Sequence, residues 1–292
     1  MKPTDSPTQV AIVTGAASGI GAALSRQLAE HGWRVALLDV DATRLDDVAK
    51  SIRSRGDSSP TYVCDVSRED SVCQTFGRIG EELGCADRVF NCAGLEINGE
   101  VLEVDARHWQ VGFEVDVTGT LLISRAAYAL MRQRGSGHLV NVASLAGLVP
   151  LPGLAYYSAA KHAVVAFSLA LRMEARHYGI RVSVACPALV DTAIRTNTAA
   201  YLGRAIDVAP RLRWPRPITA DRCARAILRG VDRNAAVILA PASAVWLWWL
   251  YRWSPGLYAA TASTLYTRAP IFAKAVVKAD PWTGHDPPDL RD

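Results

Sequence analysis

A short apolar strand followed by a glycine-rich turn is the feature that most constrains this chain. Residues 10–13 (VAIV) form a continuous, mainly β-branched run, which predicts a buried parallel strand. TGAASGIG follows at residues 14–21, and an apolar-periodic helix continues to about His31. Glycines let the backbone turn tightly and approach a pyrophosphate at a helix N-terminus. The pattern therefore predicts a dinucleotide site, with a plain strand-to-helix turn as the alternative.

Strands and helices alternate along the rest of the first 240 residues. Further strands are expected at residues 34–38, 61–64, 88–91, 138–144, 181–186 and 236–239. Helices are expected at residues 42–55, 69–83, 105–133 and around 157–161. This alternation predicts an α/β fold, a doubly wound Rossmann-type parallel sheet flanked by helices on both faces. We expect one catalytic domain at residues 8–240. A Trp-rich, helical C-terminal extension and tail would follow at residues 241–292, with a helix at 257–278.

Composition and cysteine usage narrow the function classes. The chain has 292 residues, and its net charge of +4 gives no reason to expect a nucleic-acid partner. Its six cysteines include no C-x-x-C pair, and no apolar signal segment precedes the first strand. We therefore expect a reduced, cytoplasmic protein that is not secreted. No spacing typical of metal ligands is present, so no metal is expected.

Three residues in the middle of the chain suit proton transfer to or from an alcohol or ketone oxygen. Tyr157 and Lys161 lie four residues apart, which puts them on one face of a helix. A nearby ammonium favours the phenolate and lowers the pKa of a tyrosine. Ser144 follows a strand-like run and could bond the same oxygen from another direction. The plainer interpretation of Tyr157 and Lys161 alone is a surface lysine beside a half-buried tyrosine.

Acidic residues after the second and third strands bear on the cofactor. Asp39 can accept hydrogen bonds from both ribose hydroxyls of an adenosine and would repel a 2′-phosphate. No Arg or Lys stands at position 18 or 40 to reverse that preference, so we expect NAD(H) rather than NADP(H). Asp65 could bond the adenine amino group, and capping the helix from about Glu69 is an equally good interpretation.

These motifs occur in one order that resembles the short-chain dehydrogenase/reductase family in its common single-domain form. The resemblance covers about residues 8–240 and includes TGAASGIG, the acid at Asp39, Asp65-Val66, Asn91-Cys92-Ala93-Gly94 and Ser144 with Tyr157 and Lys161. It implies an NAD(H)-dependent oxidoreductase that interconverts an alcohol and a ketone or aldehyde. The residues expected at the cofactor are Gly15, Ser18, Gly19, Ile20, Gly21, Asp39, Asp65, Val66, Asn91, Ala93, Gly94, Tyr157, Lys161, Pro187, Val190 and Thr192.

The resemblance also implies catalytic roles. Tyr157 would exchange the proton with substrate, Lys161 would lower the pKa of Tyr157 and bond the nicotinamide ribose, and Ser144 would bond the reacting oxygen. The family's asparagine, which holds a water in a proton relay from the lysine, is replaced by Asp116. Its negative charge near Lys161 is expected to raise the pKa of the lysine and that of Tyr157. Tyr156 is expected to point elsewhere, and Thr192 would contact the carboxamide or cap the next helix.

The last third is expected to determine the substrate and the location of the protein. Residues 193–217 fall where the family has its substrate loop, and residues 195–233 contain nine Arg against three Asp. Four tryptophans follow at Trp246, Trp248, Trp249 and Trp253. This segment suggests an apolar, lipid- or steroid-like substrate and peripheral contact with an anionic membrane. A subunit interface or a lid over an apolar pocket is the competing interpretation.

Two further questions stay open at this stage. The resemblance implies a homodimer or homotetramer formed through the helices that carry Asp116 and Tyr157. Because Asp116 departs from the family pattern, a non-catalytic nucleotide-binding or membrane-associated scaffold of the same fold is one alternative. A dehydratase or epimerase on this fold is another.

Overall fold

The computed structural model describes residues 9–53, 59–102, 104–194 and 217–268. Within that part of the chain, seven parallel strands form one sheet in the order β3-β2-β1-β4-β5-β6-β9. The strands are β1 Val10–Thr14, β2 Arg34–Asp39, β3 Thr61–Val63, β4 Arg88–Asn91, β5 Gly137–Val142, β6 Ile180–Pro187 and β9 Val237–Ala240. A separate two-residue pair joins β7 Val190–Asp191 to β8 Ile218–Thr219.

Helices cover both faces of the sheet, as the alternating sequence predicted. They are α1 Gly19–Glu30, α2 Ala42–Arg53, α3 Glu69–Leu83, α4 Ala106–Phe113, α5 Thr120–Arg134, α6 Ala155–Ala175, α7 Ala220–Asp232, α8 Val245–Trp253 and α9 Pro255–Arg268. Residues of α1, α2 and α7 share one apolar core, and residues of α3, α5 and α6 share another. The predicted doubly wound α/β fold is therefore confirmed.

The central strands are buried on both sides, which explains their continuous apolar runs. All five residues of β1 are buried, and Ile12 pairs in register with Ala36 of β2 and Val89 of β4. The chain moves outward from β1 through β2 to β3, and then returns to place β4 on the other side of β1. A crevice opens at the carboxyl ends of the strands where this direction reverses. The site is therefore expected above β1 and β4.

The helix expected at residues 105–133 is interrupted by a π-helical segment. Asp105 caps α4 by accepting a hydrogen bond from the backbone N–H of Arg107. The segment Glu114–Gly119 then follows a π-helical path before α5 begins. Such insertions often mark functional sites, and apolar spacing alone does not reveal them. Here the segment carries Asp116, which is fully buried.

The C-terminal extension packs beside α6 at the edge of the sheet. After β9 the chain enters α8 and α9, and Leu247, Trp248, Leu250 and Tyr251 pack against a core that includes residues of α6. Only residues 257–268 of the helix expected at 257–278 fall within the described residues. The tail at 280–292 and most of the predicted substrate loop lie outside them. Each helix in the part of the chain that the structure describes is too short or too polar to span a bilayer.

Candidate active site

The glycine turn between β1 and α1 leaves no space for side chains. A Cβ at Gly15 would lie 2.9 Å from the backbone N of Ala93, and one at Gly21 would lie 2.2 Å from the Gly15 carbonyl oxygen. Gly15 and Gly19 both have positive φ, at +64° and +53°. Ile20, in the first turn of α1, packs against the core. The turn therefore exposes backbone at the start of a helix, an arrangement that suits an anionic phosphate.

Thr14 ties the glycine turn to the loop after β4. Its hydroxyl donates to Oδ1 of Asn91 at 2.9 Å and accepts from the backbone N–H of Cys92 and of Ala93, at 3.0 and 3.1 Å. The Asn91 side chain is buried and also donates to the Thr120 carbonyl. Asn91 therefore positions the loop through its side chain, while Ala93 presents backbone at the turn.

Asp39 at the end of β2 points its carboxylate toward the glycine turn. Oδ2 accepts a hydrogen bond from the backbone N–H of Ala17 at 3.0 Å, and Oδ1 accepts from that of Asp41 at 3.1 Å. An ionised carboxylate has about four acceptor positions, so each oxygen can accept one more hydrogen bond. The geometry is compatible with a hydroxyl donor beside the turn.

Asp65 and Val66 adopt a local turn after β3. Oδ1 of Asp65 accepts from the backbone N–H and the hydroxyl of Ser67, at 3.0 and 2.6 Å. The residue that caps α3 is Arg68, so the interpretation of Asp65 as the helix cap is wrong. Val66 is buried, and its side chain would lie 2.8 Å from a Cβ added at Gly119.

The segment after β6 returns to the glycine turn. β6 ends at Pro187, and Val190 lies in the short strand β7. A Cβ at Gly19 would lie 3.4 Å from the side chain of Thr192, and Ser18 is the cap residue of α1. Thr192 and the start of α1 are therefore neighbours. The segment that Thr192 was expected to cap lies beyond residue 194, outside the described residues.

Ser144, Tyr157 and Lys161 come from two elements that follow β5. Ser144 begins the 3-10 turn Leu145–Gly147, and its hydroxyl accepts from the backbone N–H of Ala146 at 3.2 Å. Tyr157 and Lys161 lie one turn apart on α6 and are only 8% and 3% exposed. The Lys161 Nζ lies 5.5 Å from the centre of the Tyr157 ring.

Asp116 contacts Lys161 directly. Its Oδ1 lies 3.3 Å from the Lys161 Nζ and accepts a second hydrogen bond from the backbone N–H of Leu95 at 2.9 Å. Its Oδ2 accepts from the hydroxyl of Tyr156 at 3.2 Å. The carboxylate is fully buried and is therefore matched by one cation and two neutral donors. A buried charge is tolerated only with such partners.

Tyr156 is the functional residue that the sequence analysis placed wrongly. It does not point away from the site, because its hydroxyl reaches Asp116 and its ring packs against Trp109 and Phe113. Its hydroxyl occupies the space beside Gly112, where a Cβ would lie 2.1 Å away. A carboxylate at a buried position needs donors, and that requirement was the signal that could have identified a second phenol.

The pKa of Tyr157 is raised well above its ordinary value. Burial is the largest cause, followed by the negative charges of Glu96 and Asp116, while the hydrogen bond with Ser144 opposes the rise. The expected fall of this pKa toward neutrality does not occur in this structure, because burial and the charges of Glu96 and Asp116 dominate. Burial likewise raises the pKa of Asp116, against the opposing charge of Lys161.

Glu96 is a second residue that the sequence analysis missed. It follows β4 in the loop that also carries Leu95, is partly buried, and accepts a hydrogen bond from the side chain of Asn98 at 2.9 Å. The charge of Glu96 raises the pKa of Tyr157 more than the charge of Asp116 does. No sequence motif marked Glu96, because its position relative to Tyr157 depends on the path of the loop.

Comparisons with known proteins agree with this geometry. Residues 9–202 match the family model for short chain dehydrogenases. A cis-4-hydroxycyclohexanecarboxylate dehydrogenase of Sinomonas cyclohexanicum is 40% identical over 185 residues, which cover 63% of this chain and 74% of that protein.

Two solved structures share the fold and were determined with a nicotinamide dinucleotide. A short chain dehydrogenase/reductase of Burkholderia phymatum, in complex with NAD, has a TM-score of 0.77 and 27% identity, covering 86% of this chain and 95% of that one. A short-chain dehydrogenase of Sphingobium yanoikuyae, in complex with NADPH, has a TM-score of 0.72 and 25% identity, covering 89% and 95%.

We expect Tyr156→Phe to destabilise the protein through Asp116. Loss of a donor to a buried carboxylate should lower the free energy of unfolding by about 2 kcal/mol. In the Asp116→Asn background, where the acceptor is neutral, the same change should cost about 1 kcal/mol. Urea denaturation of the four proteins measures the difference, with the partly exposed Tyr178→Phe as a control that should change little. Equal costs in both backgrounds would contradict the direct contact.

Proposed function

Because the chain belongs to the short-chain dehydrogenase/reductase family, we propose that it interconverts an alcohol and a ketone or aldehyde with NAD(H). The chain is an oxidoreductase of this family with a nucleotide-binding Rossmann-type fold. The observation that carries the finer proposal is the position of Tyr157. Its phenol is buried on α6 with the Lys161 Nζ 5.5 Å from the ring centre. Lys161 in turn reaches Gly94, in the loop whose Ala93 lies against Gly15 of the glycine turn.

The glycine turn fits a dinucleotide. Side chains at Gly15 or Gly21 would collide with backbone, so the backbone there can approach a pyrophosphate closely. We propose that Asp39 accepts from the adenosine ribose, while Thr192 and the backbone at Val190 contact the nicotinamide end. When bound, the cofactor supplies or accepts the hydride, and the protein supplies position and electrostatics.

Tyr157 serves as the proton donor in the reduction of a carbonyl. Its raised pKa keeps the phenol protonated at neutral pH, and burial keeps competing water away. Ser144 donates to the same oxygen as negative charge develops on it. In the oxidation of an alcohol Tyr157 must instead accept the proton, so oxidation should be favoured by alkaline pH. Ser144 and Tyr157 thus hold the reacting oxygen from two directions.

Lys161 is held by Asp116 rather than directed at Tyr157 alone. Asp116, on the π-helical segment, forms an ion pair with Lys161 of α6 and accepts a hydrogen bond from Tyr156. These contacts fix the position of the ammonium between the two elements. We propose that Lys161 bonds the nicotinamide ribose from this fixed position. Asp116 stands where the family pattern has an amide, and we propose that its direct contact positions the Lys161 ammonium.

Apolar surroundings favour an apolar substrate. Tyr157 belongs to a cluster with Ile97 and Ala146, and Leu151 and Leu154 pack against it.

All six cysteines are unpaired, which supports a cytoplasmic location. We also propose a homodimer or homotetramer formed through the helices around Asp116 and Tyr157. The exposed apolar side chains of Leu121 on α5 and Met173 on α6 support it.

Asp39 supports a preference for NAD(H) over NADP(H). Its carboxylate faces the turn and would repel a 2′-phosphate. Both cofactors occur in solved relatives, one with NAD and one with NADPH, so the preference rests on this residue.

Tyr157→Phe tests the proposed reaction most simply. Removal of the hydroxyl should lower kcat by at least about a thousandfold, in line with the loss of a general acid–base group. The dissociation constant for NADH should stay within about threefold, because the ring remains and the other expected cofactor contacts are unchanged. NADH absorbance with a panel of apolar alcohols and ketones measures turnover, and fluorescence titration measures binding. Retained turnover would refute the assignment, and Tyr178→Phe is the matched control.

The cofactor preference has its own test. We expect kcat/KM with NADH to exceed that with NADPH by at least about tenfold, because the carboxylate and a 2′-phosphate repel each other. Asp39→Ser should narrow the ratio mainly by lowering the KM for NADPH, and Asp41→Ser, whose carboxylate belongs to the adjacent helix start, should change it less. A wild-type enzyme with a lower KM for NADPH would show that Asp39 does not select the cofactor.

A further inference from the structure

Three tryptophans of α8 form an exposed face. Trp246, Trp249 and Trp253 follow one another at spacings of three and four residues, which places them on one side of the helix. They are 76%, 50% and 75% exposed. The rings of Trp249 and Trp253 are parallel within 8°, with their centres 5.9 Å apart. The exposed indoles amount to on the order of 450 Å² of largely apolar surface, comparable to the largest patch on a typical monomer.

This exposed face does not belong to the apolar core of the domain. The opposite side of α8, with Leu247, Trp248 and Tyr251, already packs against the core beside α6. α8 is therefore anchored to the domain by one side and presents the three tryptophans on the other. We call residues 246, 249 and 253 the tryptophan face.

Charge indicates what the tryptophan face binds. Residues 234–279 contain four basic residues and no Asp or Glu. Arg252 is exposed and lies on the flank of the face, next to Trp253 in sequence. Indoles combine an apolar ring with an N–H donor, and they concentrate with arginine where hydrocarbon meets headgroups. An anionic lipid surface complements this combination.

A second copy of the chain fits the face less well. A stable interface buries about 800 Å² on each partner, nearly twice what the three indoles expose. Binding to a lipid surface requires no such minimum buried area, because a short amphipathic helix inserts its apolar side only to the depth of the headgroups.

The C-terminal helices connect this face to the rim of the candidate active site. Tyr258 of α9 donates to the carbonyl of Pro150, in the loop after β5. Tyr266 of α9 contacts Glu100, and together with Val101 and Leu102 it lines a shallow groove of about 340 Å³. Val101 and Leu102 are 57% and 67% exposed. Exposed apolar side chains are therefore also present on a loop that follows a strand of the site.

We propose that the tryptophan face docks the protein onto an anionic phospholipid bilayer, with the rim of the active site held near the lipid. Trp246, Trp249 and Trp253 insert at headgroup depth, and Arg252 pairs with lipid phosphate. Docking in this position gives a membrane-dissolved substrate a short path to Tyr157. That last step rests on the proposed oxidoreductase activity, whereas the docking itself does not.

Vesicle flotation of the full chain tests the docking without cofactor or substrate. We use vesicles of phosphatidylcholine alone and vesicles that contain about a third phosphatidylglycerol. Wild type should float with the anionic vesicles, and its tryptophan emission should shift to shorter wavelength. Trp246→Gln/Trp249→Gln/Trp253→Gln should reduce the floating fraction at least tenfold. Arg252→Gln should weaken flotation severalfold on anionic vesicles and leave any residual binding to phosphatidylcholine unchanged.

The matched control is Val63→Gln, which removes a 63% exposed apolar side chain from β3 at the edge of the sheet opposite β9 and should float as wild type does. Circular dichroism confirms that each variant is folded. Wild-type protein that fails to float, or a triple variant that floats equally well, overturns the proposal. If wild type fails to float and the triple variant elutes as a smaller oligomer, a second copy covers the face instead. Loss of docking with turnover of soluble alcohols intact would separate this failure from failure of the proposed function.

Discussion

The buried contact between Asp116 and Lys161 is the interaction on which the site depends. A carboxylate with no exposed surface and an ammonium only 3% exposed are held 3.3 Å apart. Removing two charges from water is costly unless each finds partners, and removal of one partner strands the other. Several otherwise unrelated features of the chain serve this pair. They are the π-helical segment at Glu114–Gly119, the hydroxyl of Tyr156, and the small residues Gly94 and Gly112.

Gly94 and Gly112 show how closely the site is packed around this pair. A Cβ at Gly94 would lie 2.7 Å from Oδ1 of Asp116 and 3.1 Å from the Lys161 Nζ, so the loop after β4 must be glycine there. Gly112 leaves the corresponding space for the Tyr156 hydroxyl. Asp116 offsets much of the charge of the Lys161 ammonium. The pKa of Tyr157 is high because of burial and the negative charges of Glu96 and Asp116. The site is thus electrostatically biased toward a protonated phenol.

The sequence predicted the architecture well and the details of the site less well. The order of strands and the glycine turn follow from apolar runs and local backbone requirements, which are properties of short segments. The spacing of Tyr157 and Lys161 follows from helix geometry in the same way. The π-helical segment, the contact of Tyr156 and the position of Glu96 depend on how separate segments pack. Periodicity carries no information about such contacts, nor about the burial that is the largest cause of the raised pKa of Tyr157.

The pH dependence of alcohol oxidation in the wild type and in Asp116→Asn is the most direct test of this account. Oxidation needs the phenolate, and the Asp116 charge raises the pKa of Tyr157. Asparagine removes that charge and releases the Lys161 ammonium, so both effects lower the pKa. The account predicts that the rising limb of kcat/KM moves to lower pH by up to about one unit, with neutral-pH activity retained or increased. A limb that stays in place or moves to higher pH would contradict it, as would a loss beyond about a hundredfold at every pH.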